Sequence, residues 1–518
     1  MFVGILFFVG CLVLVNPAQL YVSPDETANA YFATRFAQTL SLRGADDELL
    51  TQFDRLHPRS TLVDGGQLVP GSFLGLPVVY GFFVMILGPI ALWILTPLFT
   101  IFAAHGFGRL VGRFTSDPIG SLVRILFLLH PAVWYYAARG LMHNVLFLDL
   151  LVLAAWLWVC RPMGKKRGEA STWNDVLGGL FVGLALFVRS SEFLWIGIGL
   201  VVSAILWWRT LSWRRLRAGL FGLTVGVGLL FLMNFLTYGH PLTTGYTLGI
   251  PPTDLLSTDS VDSVVVLPFG FHPMNVWRHV GAYGVTMFWW LSILALPGFF
   301  LLLAHQKNRR TIRCALALAT LVSVWLALMY GSWEIHDNPD PTQITMANSY
   351  VRYWLPLYVF STPMIAMTIV WIAQRGRSVW ARGLIVATLM LLVLGLNVNA
   401  TFVQGQDGLL RMRSELLSAS QIQESVLRYT ASDAVIIVDR ADKLFFPHRR
   451  VWYPLRDEAT YAAMPLILES VTLYYYGITF PQQDFDYLNT SRLARMGLRI
   501  ERVETYEEES LYRIVRVE

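Results

Sequence analysis

The sequence predicts a mainly α protein: a polytopic transmembrane helical bundle with interfacial helices in its outer loops and a small C-terminal extracytoplasmic α/β domain. Three observations predict it. Of 518 residues, 55% are hydrophobic and 14% charged, whereas a soluble domain carries charge on about a quarter of its residues. The apolar residues come in blocks of about 20, the length that takes a helix across about 30 Å of hydrocarbon. After about residue 402 the composition turns polar and the pattern becomes strand-like.

The net charge of +5 is carried by Lys and Arg gathered in short loops between apolar blocks. That is the positive-inside pattern of a membrane protein, and it excludes a nucleic-acid partner as the reason for the basic balance. Cys11, Cys160 and Cys314 lie in or at the ends of apolar segments without metal-ligand spacing, so no disulfide framework is expected. Residues 1–15 are apolar with no small-residue cleavage pattern after them and read as a retained first helix.

The basic loops fix the topology. Lys165, Lys166 and Arg167, then Arg214, Arg215 and Arg217, then Lys307, Arg309 and Arg310 are expected on the cytoplasmic side. Crossings then fall at about 119–137, 143–160, 175–190, 192–208, 218–237, 281–304, 311–331, 353–373 and 381–401, which leaves the C-terminus outside. Residues 71–110 are interrupted at Gly88-Pro89 and read as one broken crossing, giving about 11 helices, with 12 or 13 as the alternative count. This parity places the segments 17–70, 238–280 and 332–352 outside. Within 17–70, Glu26 to Leu42 offers an apolar face of Ala30, Phe32, Ala33, Phe36, Ala37 and Leu40, suited to lying along a membrane surface. Domains are expected at 1–401, in the membrane, and at 402–518, a small domain with strands at 434–438, 498–503 and 511–517 and a helix at 414–429.

Several outer residues bear chemistry. In Ser23-Pro24-Asp25-Glu26-Thr27 a carboxylate just outside the first helix suits a general base; equally, Asp and Glu in a first turn cap and charge a helix. The run from His130-Pro131 to Arg139, continuing to Met142-His143-Asn144, puts an arginine and a histidine where a phosphate can be held. Against this stands an arginine snorkelling beside an interfacial aromatic belt. Arg352-Tyr353 opens another helix on the same face, so that Arg139 and Arg352 are placed to converge on one anion, while Arg189 to Glu192 reads as a salt-bridged turn. Asp149, deep in its helix, suits a transporter, because an intramembrane acid needs a cavity or a partner.

Taken in order, these motifs resemble the C-type (GT-C) glycosyltransferases, polytopic enzymes that use sugars carried on polyprenyl phosphates, and among them the protein O-mannosyltransferases and the aminoarabinose transferases of lipid A. The resemblance covers about residues 1–400. It rests on Pro24-Asp25-Glu26, the Pro131 to Arg139 stretch, the Gly179 to Arg189 run, Asn234 through Tyr238-Gly239-His240-Pro241 to Gly245-Tyr246, and Arg352-Tyr353 followed by Pro356.

The resemblance implies that Asp25 is the general base for an acceptor hydroxyl, with Glu26 supporting it. It further implies that Arg139, His143, Arg352, Tyr353, Tyr246, His57 and Arg59 contact substrate. The partners implied are a polyprenyl-phosphate sugar donor, a protein, lipid or glycan acceptor and the bilayer, at the outer face of an inner (plasma) membrane. The chain has His143-Asn144 where many members carry an acid, and His57-Pro58-Arg59 where some have Lys-Pro-Pro or His-Pro-Pro. Some members bind a divalent cation; Asp25, Glu26 and His143 make no assured ligand set, so no metal is assigned. A transporter or lipid flippase, motivated by helix number and Asp149, and a noncatalytic subunit that displays its C-terminal domain are the competing readings.

Overall fold

The structure is a computed structural model, and it describes residues 2–160, 169–208, 212–249, 267–335, 337 and 343–517. The basic loop Lys165, Lys166 and Arg167, residues 250–266 of the second long outer segment and most of 336–342 in the third lie outside the described residues. The chain divides into two compact units. One comprises Met1–Leu14, Ile90–Asn234 and Gly249–Met412, the other Val15–Pro89, Phe235–Leu248 and Arg413–Glu518.

The first unit is the helical one. Among the described residues, five helices are long and apolar enough to cross a membrane: Ala91–Phe114, Trp213–Tyr238, Arg309–Ser332, Leu355–Ala373 and Val379–Val403. Three bent pairs of helices raise this to eight if each pair is one span. The chain is a multi-pass membrane protein. Small residues let its helices approach: Gly179 and Gly183 on the helix Glu169–Val188 face Gly219, Gly222 and Gly226 on Trp213–Tyr238, and a Cβ on any of the four at 179, 183, 222 or 226 would run into the opposing backbone.

Three expected crossings differ from straight rods, each for a local reason. The helix expected at 119–137 bends by 50° between Leu129 and Pro131, because Pro131 has no N–H to give and its ring displaces the preceding turn. His130 adapts to the break, its Nδ1 accepting from the Ala132 N–H at 3.3 Å. The crossing expected at 281–304 is instead two helices, Pro273–Thr286 and Trp289–Ala304, inclined by 94°. Residues Val280–Thr286 are wound as a π-helix, and the Ser292 hydroxyl lies 3.3–3.4 Å from the carbonyls of Gly284, Val285 and Phe288 at the break. In the stretch 71–110, Gly88 takes φ +74° and ends the helix Gly75–Leu87. The break falls where Gly88-Pro89 predicts it, and Ala91–Phe114 beyond it is long enough to span alone.

At one end of this unit the loops between helices are tied together. Lys307 Nζ donates to Thr115 O at 2.9 Å and Asn308 to Phe114 O at 3.1 Å. Arg113 donates to Val159 O at 2.5 Å, and Arg215 reaches Asp175 at 3.5 Å. Among the described residues, Lys307 and Arg215 of the basic loops thus bond to the ends of neighbouring helices.

The second unit joins Val15–Pro89, which holds the first long segment between apolar blocks, to the C-terminal residues. Strands β1 (Thr61–Asp64) and β2 (Gln67–Pro70) pair antiparallel through Gly65-Gly66, both at positive φ. A five-stranded sheet contains β3 (Val435–Val438), β4 (Arg450–Trp452), β5 (Leu473–Ile478), β6 (Leu498–Tyr506) and β7 (Glu509–Arg516), in the order β4-β3-β5-β7-β6. The strands β4, β3 and β5 run parallel, and β7 and β6 are antiparallel additions. All four residues of β3 are buried, as expected of a strand covered on both faces. On one face the helix Leu409–Tyr429 closes over it, with Tyr474 donating to Tyr429 O at 3.3 Å. On the other face Val435, Ile437, Trp452 and Tyr475 share a core with Leu49, Leu50, Phe53 and Leu56. The first outer segment thus supplies a layer of the C-terminal domain.

Candidate active site

The segment Ser23 to Glu26 folds as its sequence dictates. Ser23 is extended and caps the helix Pro24–Thr39, Pro24 fills the first helical position where an N–H is dispensable, and Glu26 completes a capping box. The Glu26 carboxylate takes the Ser23 N–H at 2.9 Å and the Ser23 hydroxyl at 2.8 Å. Glu26 is 2% exposed. Glu26, expected to support Asp25, has its carboxylate engaged by the cap of its own helix. Asp25, one residue earlier, is half-buried, and its Oδ1 accepts from Ser60 Oγ at 2.5 Å. Ser60 carried no motif, and nothing in the sequence singles it out.

His57 and Arg59 lie on the same loop as Ser60. The His57 Nδ1 sits 2.9 Å from Pro58 O. Burial lowers its pKa from the usual 6.5, offset in part by the Pro58 carbonyl and by Asp54 and Asp442. Arg59 gives its Nε, Nη2 and backbone N–H to Asp442, at 2.6–3.2 Å, and Nη2 also to Arg440 O at 2.9 Å. Its guanidinium lies 5.4 Å from the centre of the Tyr453 ring. The Nε and Nη2 donors of Arg59 thus face the protein. Tyr246 is exposed, with its ring 5.0 Å from Phe73. Its motif is anchored beside it: Tyr238 donates to Pro70 O at 2.7 Å, and Gly245 lies so close to Gly71 and Ser72 that a side chain there would clash.

Arg139 and Arg352 both belong to the first unit. Arg139 ends the short helix Pro131–Ala138, is 4% exposed, and lies 5.7 Å from the Tyr136 ring centre. Tyr136 donates to the carbonyls of Met346 at 2.9 Å and Asn348 at 3.2 Å, and its hydroxyl is within electrostatic reach of both arginines. Asn348 caps the helix Ser349–Tyr353 that carries Arg352, and Asp337 accepts from the Ser349 N–H at 2.8 Å. Arg352 Nη1 reaches the Met142 sulfur at 3.2 Å, immediately before His143 opens the helix His143–Val159.

Asp407 accepts from the Ala347 N–H at 2.5 Å; burial raises its pKa, while that N–H and the charge of Arg139 pull the other way. Tyr353 is stacked on Tyr330 at 4.3 Å and 12°. Behind it Arg189 and Glu192 pair at 2.7 Å, with Tyr330 and Trp195 bonded to the same carboxylate. Asp149 is 1% exposed, and its Oδ2 accepts from Thr100 at 2.7 Å. Among the described residues no three or more His, Cys, Asp or Glu side chains form a group able to hold a metal ion, and no step is routed through one.

The residues expected to act on substrate fall in both units: Asp25, His57, Arg59 and Tyr246 in one, and Arg139, His143, Arg352 and Tyr353 in the other. No family model and no curated protein sequence matches the chain. Solved structures do. The crystal structure of ArnT from Cupriavidus metallidurans bound to undecaprenyl phosphate superposes with a TM-score of 0.56 at 12% identity, over 99% of this chain and 96% of that one. The oligosaccharyltransferase of Archaeoglobus fulgidus in the apo form superposes with a TM-score of 0.50 at 11% identity, over 95% of this chain and 70% of that one. The archaeal enzyme AglB in complex with an inhibitory peptide and a dolichol-phosphate also gives 0.50, at 8% identity. At such identities the likeness is one of fold.

Proposed function

Because the chain has the fold of the GT-C glycosyltransferases, we propose that it transfers a sugar from a polyprenyl-phosphate donor to an acceptor at the extracytoplasmic face of the inner membrane, with inversion at the anomeric carbon. The solved relatives hold undecaprenyl phosphate in one case and a dolichol-phosphate with a peptide in another, which supports a lipid-phosphate donor. In this reading an acceptor hydroxyl attacks the anomeric carbon as its proton passes to the Asp25 carboxylate. The new C–O bond forms while the bond from that carbon to the phosphate oxygen breaks, and polyprenyl phosphate leaves. Charge accumulates on the leaving phosphate, and fixed cations stabilise it far better than mobile water does. Arg139 and Arg352 take that role, with Tyr353 and His143 beside them.

The observation that carries this reading is the state of Asp25. Glu26 is engaged by the cap of its helix, and the neighbouring Asp25 is half-buried, with its Oδ1 accepting from the Ser60 hydroxyl at 2.5 Å. A general base must be within hydrogen-bond reach of the proton it takes and must be held there. The test uses the full chain in lipid nanodiscs, with the lipid extract of a strain lacking it as the source of accumulated donor. Asp25→Asn is expected to lose transfer by about 10²- to 10⁴-fold while undecaprenyl phosphate still binds. Transfer at the unmodified rate in that variant removes Asp25 as the base.

A further inference from the structure

Three strands of the C-terminal sheet, β4, β3 and β5, run parallel, and the carboxyl edge of parallel strands is where open α/β sheets bind ligands. The chain leaves β3 for β4 on one side and then crosses to β5 on the other, so the edge beyond β3 is a topological switch point, the usual place of a ligand crevice. Here that edge is filled from within the chain. Asp442, just past β3, is 0% exposed and receives Arg59 through both carboxylate oxygens, with Arg59 Nη2 at 2.6 Å from Oδ1 and its backbone N–H at 2.9 Å from Oδ2. Such a two-pronged arginine–carboxylate pair fixes orientation as well as distance. Lys443, next to Asp442, donates to Val22 O, at the entry to the helix that carries Asp25.

The residue after Arg59 is Ser60, whose hydroxyl holds Asp25. Ser60 is at φ +64°, a left-handed conformation that a non-glycine residue keeps only when its surroundings over-determine it. They do: the Arg59 clamp fixes one side, and the Gly71 N–H donates to Ser60 O at 3.0 Å on the other. The loop is further anchored by Leu49, Leu50, Phe53 and Leu56 in the sheet's core.

We propose that Asp442 and Arg59 are positioning residues for Asp25, and that the C-terminal domain uses its switch-point edge to hold the loop that presents Ser60 to the Asp25 carboxylate. The inference rests on the reading of Asp25 as the base. The line of force runs from the sheet edge through Asp442 and Arg59 to Ser60, and ends at Asp25 Oδ1. A hydroxyl donating to a carboxylate sets its orientation and favours its ionised form, and a reacting group displaced by about 1 Å costs up to about 100-fold in rate.

The experiment uses the full chain in nanodiscs with the same lipid extract, and compares Asp442→Asn, Ser60→Ala and Asp25→Asn. Asp442→Asn keeps the shape and removes the charge, and it is expected to lower kcat by about 10- to 100-fold while undecaprenyl phosphate binding holds. Hydrogen exchange at residues 57–62 should rise in that variant, a readout independent of catalysis. Ser60→Ala should lower kcat similarly and move the acidic limb of the pH–rate profile to higher pH. Unchanged kcat and pH profile in Asp442→Asn and Ser60→Ala, beside an inactive Asp25→Asn, overturns the positioning role and leaves the base standing. A fully active Asp25→Asn overturns both. A slow Asp442→Asn beside an unaffected Ser60→Ala reduces the clasp to a purely structural one and likewise overturns the proposal. Should Asp442→Asn fail to fold, Ser60→Ala, which leaves the clasp intact, carries the test.

Discussion

Two buried arginine–carboxylate pairs, one in each unit, show how the same chemistry serves different ends. In the helical unit Arg189 and Glu192 meet at 2.7 Å, with side chains 8% and 4% exposed, and lie three positions apart in the sequence. In the other unit Arg59 and Asp442 meet at 2.6 Å, with side chains 33% and 0% exposed, and are separated by 383 residues. The first pair closes a turn between two helices and passes its order to Tyr330 and Tyr353 beside it. The second ties a loop to a sheet that the ribosome makes almost the whole chain later. Neither is evidence of net stabilisation over an apolar pair, since both carboxylates give up water to make it. What they secure is position: a local pair fixes a corner, and a distant pair makes one segment's geometry depend on another's folding.

The largest effect that can break this contrast belongs to the local pair. Glu192→Ala leaves the Arg189 guanidinium buried without its carboxylate and strips a partner from Tyr330 and Trp195. It is expected to destabilise the helical unit by about 3–5 kcal/mol, measured by steric trapping or thermal unfolding in detergent. A change under about 1 kcal/mol would mean that the corner is held by its aromatic stack alone. The second effect sharpens the distant case. Phe53 packs edge-on against Trp452, with ring centres 5.8 Å apart, and Phe53→Ala is expected to cost about 3 kcal/mol. The loss should appear as faster hydrogen exchange in β3 and β4. Exchange that rises only at 48–56 would show that the loop rides on the sheet without supporting it.

The contrast also explains what the sequence discloses. Arg189 and Glu192 are legible as a pair because a one-turn spacing puts them together whatever surrounds them. The capped helix start after Ser23, the break at Gly88-Pro89 and the strands β3, β6 and β7 are legible for the same reason, being local patterns, whereas the bend at Pro131 falls inside a stretch expected to cross as one helix. β4, of three residues, is too short to show a period, and the aromatic run of β5 is not set off by alternation. Arg59 with Asp442, and Ser60 with Asp25, depend on where chain folding returns a segment, and no spacing encodes that. Composition alone marks a boundary near 402, since it registers the turn to polar residues but not that Leu49, Leu50, Phe53 and Leu56 are buried against β3.

The smallest expected effect, a response to pH, separates the two regions by sign. His57 has its pKa lowered by burial from 6.5, so the neutral ring is the form the fold prefers. Its favourable contribution is present above the unfolded value and is lost as pH falls through 6.5 toward the folded value. Asp407 has its pKa raised by burial from 3.8, so the protonated form is preferred; its contribution is present below that value and lost as pH rises through the folded one. Acidification from about pH 7.5 to about pH 5.5, the span across which an ordinary histidine titrates, should therefore loosen residues 55–60 while leaving 343–350 as protected or more so. Hydrogen exchange of both segments, with rates corrected for intrinsic pH dependence, checks this in one sample, and His57→Gln should abolish the response of the first segment alone. If both loosen together, the pH response is global and His57 is not its source; if neither moves, the Arg59–Asp442 clasp holds the loop regardless of the charge on its neighbour.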